Sequence, residues 1–329
     1  MSATVDAFRE ELRLAENSNG SGYSANTVAQ YLRYVRRWEE WLDKPLAEAT
    51  TRDVKLFLRE LGEANSESLV TSVRTALSKY YQLCEDSNPV ADLDWTWTDT
   101  TEKSKALPED VEYLEPEEVQ ALIDNVPSSH RFRNELLIKI LYYTGIRRSE
   151  LITLRLQDVY LEQQRLSVWD EKGDERRVVG FRPELKTPLR LWIEEKRPVL
   201  KEADSEWLFP SPESIICECG EGHAFKSDCP KWRPNHIGGE LVRRVVHQAA
   251  EDAGLQEKYG TDSEGRSLSK ITPHTLRHSF AVQAAKNGVG APFLKEQLGH
   301  HSLEVTQIYL QLAEVDAADK IGQMGPSLS

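Results

Sequence analysis

The spacing of apolar and polar residues predicts a mainly helical chain. Tyr31, Val35, Trp38 and Leu42 recur at helical spacing and form one apolar stripe on an amphipathic helix. Further helices are expected at about 51–61 and 66–84, and the Asn-Pro pair that follows them ends the pattern. We therefore predict a small helical bundle for residues 1–94.

A second pattern begins after a polar stretch at residues 95–110, which we interpret as an interdomain linker. In the following domain, residues 111–318, the segments RLSVWD and RRVVGF alternate around an EKGDE turn and predict a β-hairpin among helices. Residues 211–236 and 256–270 lack periodicity and are expected to be loops. The small polar residues of 319–329 predict a flexible tail.

Composition and charge limit the class of protein. No apolar run approaches the roughly 20 residues that cross a bilayer, and the charged start is no secretory signal, so we expect a cytoplasmic protein with no membrane partner. The net charge of −13, from 41 basic and 54 acidic residues, argues against a nucleic-acid partner. DNA binding remains compatible if the basic residues share one face, or if the whole proteome is acidic, as in organisms living in concentrated salt. We favour the second explanation, with the basic residues gathered on one face within it.

Several residues of the second domain could carry chemistry together. They are Arg147, Lys172, His274, Arg277, His300 and Tyr309. Taken singly, each has an ordinary explanation, such as an ion pair between Arg147 and Glu150 or a core position for Tyr309. Together they supply what metal-free phosphoryl transfer needs. Guanidinium groups hold phosphate oxygens, a lysine or histidine protonates the leaving oxygen, and a tyrosine attacks the phosphorus.

Three segments carry a family resemblance: TGIRRSEL, HTLRH and LGHHSLEVTQIY, in that order. With SANTVAQYLRYVRRWEEWL near the start, they make the chain from Asn26 to Gln311 similar to the tyrosine recombinase, or phage integrase, family. The resemblance implies an N-terminal helical core-binding (SAM-like) bundle and a C-terminal tyrosine recombinase catalytic domain.

The resemblance also implies roles for individual residues. Arg147 and Arg277 match the two catalytic arginines, and Glu150 matches the acidic residue that supports the first of them. Lys172 stands at the hairpin lysine, His274 in the His-x-x-Arg pair, His300 at the second His/Trp position and Tyr309 at the nucleophile. In place of the family's basic turn, this chain has Glu171 and Glu175 on either side of Lys172.

By the same resemblance, Tyr309 would form a 3′-phosphotyrosyl bond with double-stranded DNA at a specific recombination site. Lys172 would protonate the departing 5′-oxygen and His274 would take or return the tyrosine proton, with no catalytic cofactor. Such proteins clamp DNA and act as tetramers. Arg33, Arg36 and Arg37 share one helical face. This segment alone favours a solvated charged face, but in the light of the resemblance the three arginines would contact phosphates.

A cysteine cluster in the first loop suggests a metal. Cys217, Cys219, His223 and Cys229 form a plausible tetrahedral set for a structural zinc, with His236 as a competing ligand. The alternative is a group of reduced surface cysteines.

Two other functions use the same residues differently. A type IB-like DNA topoisomerase would relax supercoils by the same chemistry without strand exchange. A recombinase-fold protein without catalytic activity would only bind DNA, but the complete set of catalytic residue types speaks against it.

Overall fold

The computed structural model describes residues 3–16, 22–23, 25–65, 67–91, 93, 111–170, 175–200, 205–217, 232–261, 267–300 and 302–324. The described residues up to 93 form one compact unit, and those from 111 onward form another. Within these ranges, no helix combines the length and apolar composition that crossing a membrane requires.

The first unit is helical. Its helices are α1 (Ala3–Leu14), α2 (Ala25–Trp41), α3 (Thr51–Ala64) and α4 (Glu67–Cys84). The stripe predicted for α2 faces the core, since Val35 and Trp38 are fully buried. The Trp38 indole donates a hydrogen bond to the Tyr81 hydroxyl of α4 at 2.9 Å, so the ring is buried with its polar atom satisfied.

The second unit is also mainly helical. Its helices are α5 (Pro116–Asp124), α6 (Arg131–Thr144), α7 (Arg148–Ile152), α8 (Pro183–Leu191), α9 (Gly239–Asp252), α10 (Pro273–Lys286), α11 (Ala291–Leu298) and α12 (Glu304–Met324). Helix α6 runs through the core, where Leu137, Ile138 and Leu141 are fully buried. Helices α10, α11 and α12 pack around a smaller cluster that contains Leu298 and Tyr309.

A small antiparallel sheet lies beside these helices. It consists of β1 (Val159–Tyr160), β2 (Arg165–Asp170) and β3 (Glu175–Gly180), in that spatial order. Leu166 pairs with Val179, so their side chains lie on the same face of the sheet, and both are buried. The predicted β-hairpin and the mainly helical fold class are confirmed.

The two stretches expected to be loops contain short strands. Strand β4 (Pro210–Cys217) pairs with β5 (Trp232–His236), and β6 (Lys258–Thr261) pairs with β7 (Ser267–Ser269). The expectation of unbroken loops was wrong because these strands pair with an irregular register and their sequences show no alternation. Helix α12 also continues to Met324, beyond residue 319, where the flexible tail was expected to begin. Residues 94–110 and 325–329 lie outside the described residues, so the domain boundaries stay predictions.

Candidate active site

A tight turn between α6 and α7 sets the position of Arg147. Gly145 ends α6 with φ +66°, a conformation that favours glycine. A Cβ atom there would lie 2.4 Å from Cδ1 of Phe280 and 2.9 Å from Cδ2 of Leu298. The chain can therefore turn against α10 and α11 only because this residue has no side chain.

Arg147 is held on several sides. Its Nη1 donates to Glu150 Oε1 at 2.9 Å and to Asp170 Oδ2 at 3.0 Å, and its Nη2 donates to the Gly299 carbonyl at 2.8 Å. The side chain nevertheless keeps 23% of its surface exposed. Arg147 thus presents a fixed positive charge with an accessible face.

Glu150 is a buried carboxylate between two arginines. Arg177 of β3 reaches it with both terminal nitrogens, at 2.7 Å to Oε1 and 2.9 Å to Oε2. Burial by itself raises the pKa of Glu150, but the hydrogen bonds and charges of Arg177 and Arg147 outweigh it and leave this pKa below its ordinary value. Glu150 is therefore ionised and orients Arg147, as its match to the family's acidic residue implied.

Arg277 lies deep in the unit, with 2% of its surface exposed. It donates Nη1 to the Gly145 carbonyl at 2.7 Å and Nη2 to the Leu298 carbonyl at 2.6 Å. These carbonyls stand at the ends of α6 and α11, where the helix dipole favours a cation. Burial, together with the charge of Arg147, lowers the pKa of Arg277 to about 10, so the group stays protonated at neutral pH.

Tyr309 of α12 packs against α10 with 3% of its surface exposed. Its hydroxyl lies 2.8 Å from Nδ1 of His278. Burial raises the pKa of Tyr309, and the charge of Arg277 offsets this only in part. Burial, with the neighbouring His274 and Arg277, lowers the pKa of His278 to about 4. The pair is a neutral phenol beside a neutral imidazole.

Two further histidines complete the cluster. The ring of His274 meets that of His278 edge-on, with centroids 4.8 Å apart, and the ring of His300 stacks on Tyr309 with centroids 6.2 Å apart. Burial and the charges of Arg277 and Arg147 lower the pKa of His300 to about 3. His274 and Tyr309 also line a cavity of about 410 Å³ beside α10.

The structure gathers most of the residues that the sequence singled out. Those brought together are Arg147, Glu150, His274, Arg277, His300 and Tyr309. Lys172 lies outside the described residues. The sequence reasoning missed two participants. Arg177 could have been found because it shares a strand face with the buried Val179, and His278 because it follows His274 by one helical turn.

The remaining predicted residues lie elsewhere. Arg33, Arg36 and Arg37 are exposed on α2, which suits either a solvated face or a phosphate-contacting one. For the zinc prediction, Cys219, His223 and Cys229 lie outside the described residues, as does the side chain of Cys217. Among the side chains that are described, no group of His, Cys, Asp and Glu could hold a metal ion. The zinc set stays a prediction, because its four ligands are not among those side chains.

Known proteins match both units of the chain. Residues 112–315 match the phage integrase family, and residues 4–87 match the N-terminal SAM-like domain of phage integrases. A tyrosine recombinase XerD of Listeria monocytogenes serotype 4b (strain F2365) is 26% identical, over 93% of this chain and 94% of the relative. A tyrosine recombinase XerA of Pyrococcus furiosus is 28% identical, over 88% of this chain and 85% of the relative.

Solved structures share the fold. A XerH recombinase bound to a palindromic difH substrate, in a post-cleavage complex, superposes with a TM-score of 0.65 at 18% identity, covering 97% of this chain and 95% of that one. A lambda integrase dimer bound to a COC′ core site superposes with a TM-score of 0.62 at 18% identity, covering 99% and 79%. Since the match at residues 112–315 spans more than half of its length, the chain belongs to the phage integrase family of tyrosine recombinases.

Proposed function

We propose that this protein breaks and rejoins double-stranded DNA at specific recombination sites, with Tyr309 as the nucleophile. The observation that carries the proposal is the position of the Tyr309 hydroxyl, 2.8 Å from a neutral imidazole and inside the electrostatic field of Arg277. A phenol buried against histidine and arginine suits attack on a phosphodiester. The XerH and lambda integrase structures named above contain DNA, which supports the same substrate here.

The phosphate would be bound by Arg147 and Arg277, whose guanidinium groups are already fixed. Arg147 and Arg277 each have two or more hydrogen bonds that fix their guanidinium groups. Such preorganised charge stabilises a transition state without reorganisation during the reaction. In this scheme Arg147 and Arg277 bind the non-bridging oxygens, and His300 and His274 donate further hydrogen bonds to them.

The phenolic proton needs an acceptor, and we assign that role to His278. The family resemblance gave it to His274, but the hydroxyl of Tyr309 lies against Nδ1 of His278. Tyr309 Oη forms a bond to phosphorus, the bond from phosphorus to O5′ breaks, and the phenolic proton passes to His278. The acceptor role requires the tautomer of His278 that carries its proton on Nε2.

The pKa values indicate that this transfer waits for DNA. Burial raises the pKa of Tyr309 above its ordinary value and lowers the pKa of His278 to about 4. Moving the proton from the phenol to the imidazole is therefore energetically unfavourable in the DNA-free protein. A bound phosphodiester would oppose the charge of Arg277 and raise the pKa of His278, so substrate binding itself lowers this cost.

The leaving group and the return step complete the cycle. Lys172 would protonate the departing O5′, as the resemblance implies. A 5′-hydroxyl of a partner strand would then attack the 3′-phosphotyrosine, and Tyr309 would leave and regain its proton. The phosphoester energy is kept in the protein–DNA bond, so no ATP is consumed. Exchange between two duplexes would require the tetramer that the resemblance implies.

Covalent capture on DNA tests the proposal. The full-length protein is incubated with a random-sequence pool of duplexes that carry a nick, so that cleavage releases a short fragment and traps the intermediate. We expect an SDS-resistant protein–DNA adduct, and sequencing the captured DNA would define the site. Tyr309→Phe should abolish the adduct but retain DNA binding. The control Tyr160→Phe, at a surface tyrosine with 47% exposure, should form the adduct normally.

The same capture, together with a plasmid-relaxation assay and a two-site recombination assay, separates the alternatives. Absence of an adduct from folded protein that binds DNA would instead favour a DNA-binding protein without catalytic activity. An adduct accompanied by relaxation of supercoils, with no exchange between two captured sites, would favour a type IB-like topoisomerase.

A further inference from the structure

The first turn of α6 and the middle of α9 place two arginines beside one cavity. Arg133 and Arg244 both line this cavity, which has a volume of about 440 Å³ and also borders His130, Asn134 and Gln248. Helices α6 and α9 pack against each other, so the cavity is a fixed feature of one unit. It is separate from the cavity beside Tyr309.

These arginines differ from their neighbours on the same helices. Arg131, in the first turn of α6, has a carboxylate oxygen of Glu135 at 2.9 Å, and Arg243 of α9 has one of Glu240 at 2.6 Å. Among the described residues, no carboxylate lies within ion-pair distance of Arg133 or Arg244. Glu240 is close enough to Arg244 for this arginine to help lower its pKa, but its carboxylate is bonded to Arg243. Two adjacent cations without a direct ion pair therefore suggest a place for an anion from outside the chain.

Arg133 is oriented before any ligand arrives. Its Nε and Nη2 donate to Oδ1 of Asn134 at 3.2 and 3.0 Å. Asn134 is itself buried and fixed, because its Nδ2 donates to the carbonyls of Pro127 and Ser129 at 3.1 and 2.7 Å. The Arg133 guanidinium is therefore held by a rigid amide, which lowers the entropic cost of binding an anion.

Arg133 and Arg244 also repel each other. Burial and the positive charge of Arg244 lower the pKa of Arg133, the direction expected for a cation near a like charge. An anion between the two groups would remove this repulsion and use the planar donor geometry of arginine, which matches a phosphate. Arg244 is exposed, so the cavity is open to a large ligand.

The cavity lies well away from the candidate active site on the same unit. Arg133 is the third residue of the 14-residue helix α6 and Arg147 follows its other end, so their backbones lie on the order of 15–20 Å apart at about 1.5 Å per residue. Arg133 and Arg244 would therefore hold a different phosphate from the one that Tyr309 attacks. We propose that they form a second phosphate-binding site that holds another backbone phosphodiester of the same DNA.

The proposal rests on the function given above, and its test does not require cleavage. Variants Arg133→Gln, Arg244→Gln and the double variant are made in the full chain with Tyr309→Phe, and their affinity for a labelled 40-base-pair duplex is measured between 50 and 200 mM KCl. Each single variant should bind about tenfold more weakly at 50 mM. Losing one phosphate contact should also lower the salt slope by about 0.9, so the deficit shrinks about 3.5-fold by 200 mM.

The double variant shows whether one phosphate is shared. If both arginines hold the same phosphate, the double variant should lose little more affinity and salt slope than either single variant. Arg190→Gln is the control. It removes the same charge from the same unit, but Arg190 is already paired with Glu162 at 2.7 Å. Its affinity should equal that of the Tyr309→Phe parent.

Defined results would overturn the inference. Unchanged duplex affinity in both single variants refutes it, and independent, multiplicative losses in the double variant refute a shared site. Inorganic phosphate could be the source of the anion instead. If it raises the thermal midpoint of the Tyr309→Phe parent but not of the double variant while duplex affinity is unchanged, the cavity binds free phosphate and not DNA. If the Tyr309→Phe parent binds the duplex but the protein with Tyr309 intact forms no adduct, only the proposed cleavage reaction is refuted.

Discussion

Replacing Arg177 with glutamine tests a residue that acts on the candidate site through Glu150. Arg177 contributes two charge-assisted hydrogen bonds to the buried Glu150, and Glu150 in turn orients Arg147. Breaking a buried ion pair by removing one partner costs about 3–5 kcal/mol. Arg147 remains beside Glu150 in the variant, so we expect the lower end, a loss of about 3 kcal/mol in the free energy of unfolding.

That loss has a measurable size and a defined pH dependence. For a unit of this length it corresponds to a fall in thermal midpoint of roughly 6–12 °C. The folded-state pKa of Glu150 lies below 4.5, so its stabilising effect is present above that pH and disappears as pH falls through the folded value. The difference between wild type and Arg177→Gln should therefore be largest near pH 7 and shrink below pH 4.5.

Urea unfolding at several pH values, with adduct formation on the nicked duplexes, provides the assay. Arg177→Gln should also slow adduct formation, because Arg147 loses an orienting partner, and Arg177→Lys should restore part of both properties. Arg182→Gln serves as a control, since its ion pair with Glu184 is largely exposed and such pairs contribute about 0–1 kcal/mol. A loss below 1 kcal/mol for Arg177→Gln, or one that does not change with pH, would refute this account of the network.

Other expectations follow from the same geometry. Gly145→Ala should destabilise the protein by about 2–5 kcal/mol, since it combines a left-handed backbone with overlap on Phe280. Gly254→Ala, with φ +71° and no atom within 4 Å of the new Cβ, should cost only about 1 kcal/mol. Equal losses of stability in thermal unfolding would contradict the overlap. Stability should rise between pH 4 and 6.5, because His278 binds a proton more readily in the unfolded protein. The urea midpoint of His278→Asn should rise less over this pH range than that of the wild type. The same pH dependence of the urea midpoint in both proteins would exclude this linkage. If the cysteine loop holds zinc, elemental analysis should find one zinc per chain, absent in Cys219→Ser and retained in the control Cys84→Ser; wild-type protein without zinc would end that hypothesis.

The fold could be predicted wherever periodicity is local. The stripe on α2 and the alternation in β2 and β3 appear within single segments, because burial on one face fixes the residue pattern. Strand β4 gave no such signal. Its segment, PSPESIIC, has prolines in its first half and pairs with residues well beyond it in the chain, so its pairing depends on contacts that no local window contains.

The active site divides in the same way. Residue type and order singled out Arg147, Arg277 and Tyr309, and the structure brings them into one cluster. The hydrogen-bond partner of Tyr309 was not predictable, since the choice between His274 and His278 depends on how α12 packs against α10. Arg177 was overlooked because a charged residue in a hairpin suggests a solvent-facing position. It lies, however, on the same face of β3 as the buried Val179.

The carbonyls that hold the two arginines are consecutive in the chain. Leu298 accepts from Arg277 and Gly299 accepts from Arg147, and the segment that follows leads directly to His300 and Tyr309. Fraying of the last turn of α11 would therefore remove one hydrogen bond from each guanidinium group at once, while Glu150, Asp170 and the Gly145 carbonyl would still hold them. A contact that displaces the start of α12 would consequently loosen Arg147, Arg277 and Tyr309 together.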